Sequence, residues 1–217
     1  MTNISRNIFV WDDKSTWLST GKNFKSFYTH IRGYHCCRPL DISSYYQDGL
    51  LLPSKEVLLE RTLYLLKSEK HSKEILIKYY DEAWETYNPK STIGIMYLGI
   101  SKEFLIEHCG HYLIYGSELI CSIARKLCIE DVLKKQGKPT IFSIDIPISY
   151  INDSDVSELE MCIKKNKRYK KPDSIEFGIF VKHSISPDLI VTHEHPSKIH
   201  DPFNWGTYYR FSDITQI

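Results

Sequence analysis

The feature that most constrains this chain is the irregular way in which short strand-like segments and capped helices follow one another. Apolar or alternating runs at 8–11 (IFVW), 25–35, 92–98, 102–107, 111–115, 139–148, 175–182 and 188–193 read as strands. Helical periodicity falls between some of these runs and not others. A doubly wound sheet needs regular strand–helix alternation, so the pattern predicts an α+β fold. No GxGxxG and no GxxxxGK[ST] occurs, so neither a dinucleotide fingerprint nor a phosphate loop is present.

The helices announce themselves by their caps. Asp41 precedes ISSYYQDGLL, in which Ile42, Tyr45, Tyr46 and Leu50 recur at helical spacing and Gly49 stands near the end. Ser54 precedes KEVLLERTLYLLKSEK, and SKEILIKYYDEAWETY follows. Their three- and four-residue apolar steps predict two packed amphipathic helices, a helical insertion at about 54–87. SELICSIARKLC runs into IEDVLKKQG, which Gly137 ends, and DVSELEMCIKKNK is another capped helix. A chain of 217 residues can bury one sizeable core, so 1–217 is expected to be a single domain.

Bulk composition limits the partners. Net charge is only +1, so attraction to a polyanion must come from local asymmetry. That asymmetry lies at 164–171, where Lys164, Lys165, Lys167, Arg168, Lys170 and Lys171 crowd around Tyr169. Immediately beyond it, Glu176 opens an apolar segment, IEFGIFV. The six cysteines, at 36, 37, 109, 121, 128 and 162, include no CxxC, which suggests free thiols in a reducing compartment. No apolar run approaches membrane-spanning length and the first residues have no secretory pattern, so a cytoplasmic protein without membrane contact is expected.

Three segments carry groups suited to chemistry. The first, GYHCCRPLDISSYYQDGLLLP, has His35, Arg38 and the Gly49-Leu50 pair. The second, CGHYLIYGSELICSIARKL, has Gly110, Tyr112 and Tyr115, expected in a strand before a helix that contains Ala124. The third has Glu176 followed by Ile185, Pro187 and Ile190. Their order resembles the ADP-ribosyltransferase superfamily, in its His–Tyr–Glu branch. The resemblance covers about 25–50 and 93–195. It departs from the family pattern where Cys36 and Cys37 stand in place of glycine and Ser/Thr.

This resemblance implies a split pair of mixed or antiparallel sheets with flanking helices, and NAD as co-substrate in a pentosyl transfer. Breaking the nicotinamide–ribose bond develops positive charge on the sugar, as in glycoside cleavage. Glu176 is then the group that holds a ribose hydroxyl, stabilises the cation and helps to deprotonate the acceptor. Tyr112 stacks on the nicotinamide, with Tyr115 competing for that role. His35 bonds a ribose, the Cys36 backbone clamps the carboxamide, and Arg38 approaches the adenosine or pyrophosphate.

In the family, the loop before the glutamate commonly contacts the acceptor. Here that loop contains Lys167, Arg168, Lys170 and Lys171 for phosphates and Tyr169 for a base, so RNA or single-stranded DNA is the expected acceptor. The relatives so resembled are bacterial toxins of toxin–antitoxin and phage-defence systems, which implies an antitoxin, with 54–87 as a docking surface for it. A protein acceptor, an RNA 2′-phosphotransferase and a non-catalytic nucleic-acid-binding module remain as alternatives. His193, His195, His200 and Asp201 have metal-ligand chemistry, but no complementary cluster accompanies them, and no metal is expected.

Overall fold

A computed structural model describes residues 6–11, 17, 20–67, 70–86, 94–168, 176–204 and 206–214, with the side chains of 166–168 outside the description. Its centre is a six-stranded sheet of order β5-β3-β2-β4-β6. The strands are β2 (His30–Cys37), β3 (Met96–Gly99), β4 (Thr140–Pro147), β5 (Gly178–Val181) and β6 (Ile190–Glu194). All neighbours on that path are antiparallel. The sixth strand, β1 (Ile8–Phe9), pairs in parallel with the start of β2. A separate hairpin joins β7 (Lys198–His200) to β8 (Tyr208–Arg210). The α+β expectation therefore holds, as a mixed sheet that is antiparallel apart from β1.

Strand β2 organises the rest. It pairs with β4 along its whole length, from His30 opposite Pro147 to Cys37 opposite Thr140. Since side chains alternate across a strand, this register sorts the sequence into two faces. Ile31, Gly33 and His35 share one face with Ile146, Ile144 and Phe142. That face belongs to a core with Leu98, Ile179, Val181 and the aromatics Phe9, Trp17 and Phe24. Val156, Leu159 and Ile163 of the long helix Asp153–Arg168 cover it. Arg32, Tyr34 and Cys36 point the other way, opposite Asp145, Ser143 and Ile141.

The helices are α1 (Phe24–Phe27), α2 (Ser43–Asp48), α3 (Lys55–Leu65), α4 (Lys73–Thr86), α5 (Lys102–His108), α6 (His111–Ile114), α7 (Glu118–Lys126), α8 (Asp131–Lys134) and α9 (Asp153–Arg168), of which α3 to α8 gather on this second face. Leu65, Leu76, Tyr80 and Trp84 of α3 and α4 share a core with Leu105, Leu113, Ile120, Ile123 and Leu133. The pair α3 and α4 thus builds the second core together with α5 to α8. Each fully buried Leu, Ile or Phe contributes about 1.5–3 kcal/mol. Exposed ion pairs such as Arg6–Asp188 contribute about 0–1 kcal/mol each, so the two cores dominate stability.

The caps read from sequence are in place. The Asp41 carboxylate accepts from the Ser43 backbone N–H at 2.8 Å, and the Ser54 hydroxyl accepts from that of Val57. Three strand expectations are corrected. Residues 25–35 divide into α1, capped by Asn23, and β2. Segment 102–107 is α5, because the Ser101 hydroxyl accepts from the Phe104 N–H and starts a helix. Segment 111–115 is the single turn α6. Consecutive Leu113 and Ile114 are both buried in one core, which a strand would send to opposite faces.

Arg38, directly after β2, ties these layers together. Only 4% exposed, it donates from Nε to the carbonyl of Gln136 (2.6 Å), from Nη1 to that of Leu113 (3.0 Å), and from Nη2 to those of Lys134 (2.5 Å) and Ile214. Burial pulls its pKa down to about 10, which leaves it charged at neutral pH. The resemblance gave this residue to a cofactor phosphate. In the fold, its guanidinium is an internal tie. Arg38→Met should lower the unfolding free energy by about 3 kcal/mol, since several carbonyls lose a charged donor at once. Urea denaturation checks this, and an unchanged midpoint would contradict it.

Candidate functional site

Tyr112 and Glu176 lie on the second face of the sheet, around Tyr97 and Cys109. The register explains how. Tyr97 stands opposite Phe180 and Gly99 opposite Gly178, while Leu98 and Ile179 face the first core. Phe177 also belongs to the first core, and its carbonyl accepts from the Ile100 N–H at 3.3 Å. Strand alternation then sends Glu176, just before β5, to the same side as Tyr97. A Cβ on Gly178 would come within 2.3 Å of the Tyr97 ring, so this glycine makes room for it.

Tyr112 arrives from α6. A Cβ on Gly110 would lie 1.9 Å from the His200 carbonyl oxygen, so glycine lets α6 seat directly against β7. The Tyr112 hydroxyl donates to Oε2 of Glu118 at 3.1 Å. Gly116, at φ 82°, reverses the chain between these two residues. The His111 ring lies tilted against that of Tyr112, with centroids 4.1 Å apart.

The electrostatics bind these groups into one cluster. Burial pushes the Tyr97 phenol up to about 12, and the Cys109 and Cys36 thiols and the Glu176 carboxylate add to it. Burial raises the Cys109 thiol, with Glu176 and then Glu118 adding to the effect. Burial, then the Glu118 charge and its hydrogen bond, hold Tyr112 well above the ordinary phenol range, with Cys109 and Tyr97 contributing. Burial and then the Glu118 and Asp201 charges act on His111 in opposite senses, and burial prevails, lowering its pKa. The Glu176 side chain itself is exposed, so it avoids the penalty of an unpaired buried carboxylate.

His35 does not join them. It shares the first face with Phe142, and its Nδ1–H donates to the Tyr97 carbonyl at 3.2 Å. Burial lowers its pKa, partly offset by that bond, which favours a neutral ring. Its neighbours there are Cys37, Tyr45 and Arg61: Cys37 and Tyr45 are hydrogen-bonded, and Arg61 acts on all three. Burial pushes the Cys37 thiol up to about 12 and the Cys36 thiol well above its ordinary value, so neither is an activated nucleophile. Cys36 does face the second side, where its thiol acts on Tyr97.

Tyr115 is fully committed inside the fold. Its hydroxyl donates to Oδ2 of the buried Asp201 at 2.8 Å, and Asp201 also accepts from the Phe203 N–H. The histidines of 193–200 are separately engaged: His193 with the Tyr46 hydroxyl, His195 with the Pro139 carbonyl, and His200 with the Glu107 carbonyl, each at 2.7 Å. Among the described residues, no group of three or more His, Cys, Asp or Glu is placed to hold a metal ion.

Two segments quoted for the resemblance, at Gly49-Leu50 and Ile185, meet. Leu50 and Ile185 exchange backbone hydrogen bonds, each 2.9 Å long. Gly49, at φ 81°, allows this, because its Cβ would lie 2.0 Å from the Ile185 carbonyl oxygen. Of the basic run, α9 carries the backbone through Arg168. Lys164 pairs with Glu160 at 3.5 Å and lies over the Trp17 ring. The Lys167 and Arg168 side chains, and Tyr169, Lys170 and Lys171 entirely, are outside the described residues.

The chain matches no family model, no curated protein and no solved structure.

Sequence reasoning passed over Tyr97, Cys109 and Glu118. A glycine inside an apolar strand was the available signal for Tyr97, since Gly178 marks a close approach. Glu118 becomes visible only through the Gly116 reversal. The raised phenols set a pH dependence. Phenols ionise near 10 when unfolded, whereas Tyr97 and Tyr80 hold their protons to about 12. Stability contributed by these tyrosines is complete below about pH 10 and falls as pH rises toward about 12, where the unfolded chain releases protons first. Denaturation midpoints measured across that window should decline, and less steeply in Tyr97→Phe. An identical decline in both proteins would contradict this.

Proposed function

We propose that the chain is an NAD-consuming ADP-ribosyltransferase whose working groups are Glu176, Tyr112 and Tyr97. One observation carries this reading: a carboxylate and a tyrosine from distant parts of the sequence converge on one side of the sheet, around Tyr97 and Cys109. The residues suit the substrate. Two aromatic side chains offer faces for a nicotinamide ring, and an exposed carboxylate is available to a ribose hydroxyl. As the nicotinamide–ribose bond breaks, Glu176 stabilises the positive charge that develops on the sugar. Cys36 contributes its backbone beside this site, while His35 takes no part in it. Glu176→Gln should reduce nicotinamide release from NAD at least about 100-fold. Nicotinamide release at the parent rate in that variant would end the proposal.

A nucleic-acid acceptor is the favoured target, on the strength of the cations at 164–171. Replacing Lys167, Arg168, Lys170 and Lys171 by Gln should weaken labelling of RNA or single-stranded DNA and leave NAD consumption largely intact. Equal losses in both assays would separate the basic run from acceptor choice. A protein acceptor would show instead as label on a protein pool. Toxin or phage-defence activity, an antitoxin partner and a cytoplasmic location belong to the same reading.

A second reading has its own observation. With His35 turned to the first face and Cys36 and Cys37 in place of the family's small residues, the site departs from the full His–Tyr–Glu arrangement. This favours a nucleic-acid-binding module without catalysis. Saturable RNA binding with no NAD turnover would select it.

A further inference from the structure

We infer that Glu118 is a second carboxylate of the same site and takes the proton from the acceptor. The inference rests on the ADP-ribosyl-transfer reading above and assigns a role that the sequence resemblance leaves to Glu176 alone. Its basis is geometric. Glu118 begins α7, and the Gly116 reversal returns it to Tyr112, whose hydroxyl it holds at 3.1 Å through Oε2. The exposed carboxylate keeps Oε1 open to a second donor, and its proton can pass to water. Glu118 and Glu176 come from distant parts of the sequence, yet both charges act on the Cys109 thiol.

Two carboxylates on one sugar-cleaving site divide the work when their surroundings differ. Here the difference lies in their neighbours. Glu176 lies beside Tyr97 at the β3–β5 edge, and Glu118 is tethered to the other ring, Tyr112. In the transfer step, the ribose C1′–nicotinamide nitrogen bond breaks, and its electron pair leaves with nicotinamide. A lone pair of the acceptor nitrogen or oxygen forms the new bond to C1′. The proton released from that atom goes to Oε1 of Glu118 and then to solvent. When water is the acceptor, bulk solvent takes the proton after attack, so hydrolysis depends less on this group.

The test compares two products in one reaction: nicotinamide released and ADP-ribose joined to RNA or single-stranded DNA, with labelled NAD as substrate. For Glu118→Gln, which keeps a hydrogen-bond acceptor for Tyr112, transfer should fall about 100-fold while nicotinamide release falls less than about 5-fold. Glu118→Asp should recover part of the transfer. Retained nicotinamide release also shows that the variant is folded. Equal falls in both products, or transfer at the parent rate, would overturn the role of Glu118 while leaving the Glu176 reading intact. No nicotinamide release from the parent protein would overturn both, and is distinguished by the parent sample alone. Tyr112→Phe supplies a further readout: loss of the tether should lower the transfer-to-hydrolysis ratio several-fold, and an unchanged ratio would count against Glu118 being held in place by that bond.

Discussion

One guanidinium holds the helical half of the molecule in place. Arg38 leaves the end of the central strand and meets the carbonyls of Leu113, Lys134, Gln136 and Ile214. Those oxygens belong to the short helix that carries Tyr112, to the end of α8 and the turn after it, and to the final 3-10 turn. Helix C-termini present carbonyls that need donors, and a buried arginine serves several with one rigid fork. Without it, four carbonyls buried between layers would have to find water or move. The position of Tyr112 depends on this tie more than on the propensity of its own four-residue helix, which is too short to be stable alone.

The two faces of the sheet have separate duties. On the first, Phe9, Trp17, Phe24 and the apolar stripe of α9 bury the strands in an aromatic core. The second carries the polar cluster, because Gly99 and Gly178 admit Leu105 and Tyr97 so close to the strands. A single-residue alternation decides which residue belongs where. Cys36 faces the cluster, and its neighbour His35 faces away from it.

How much of this was legible in the sequence depends on the range over which each signal acts. Ser54, Ser101 and Asp41 bond to N–H groups two or three residues on, so helix starts can be read locally. The α+β class follows from the irregular order of elements, and the structure bears it out. Segment 111–115 misled because alternating and helical patterns coincide over five residues, and only burial of Leu113 beside Ile114 separates them. Arg38 looked like an anion ligand, since nothing local shows that Ile214, far along the chain, will offer it a carbonyl. The side assigned to His35 is a matter of β2–β4 register, which no short motif encodes.

The hairpin that backs Tyr112 comes late in the chain. Gly110 seats against the His200 carbonyl, Tyr115 bonds to Asp201, and Arg38 reaches Ile214. All three partners follow the last strand of the main sheet in sequence. During synthesis, the sheet and most helices can therefore assemble before Tyr112 has its support. The placement of Tyr112 is thus the part of the second face most dependent on residues 199–214, whereas the pairing of the six strands needs none of them.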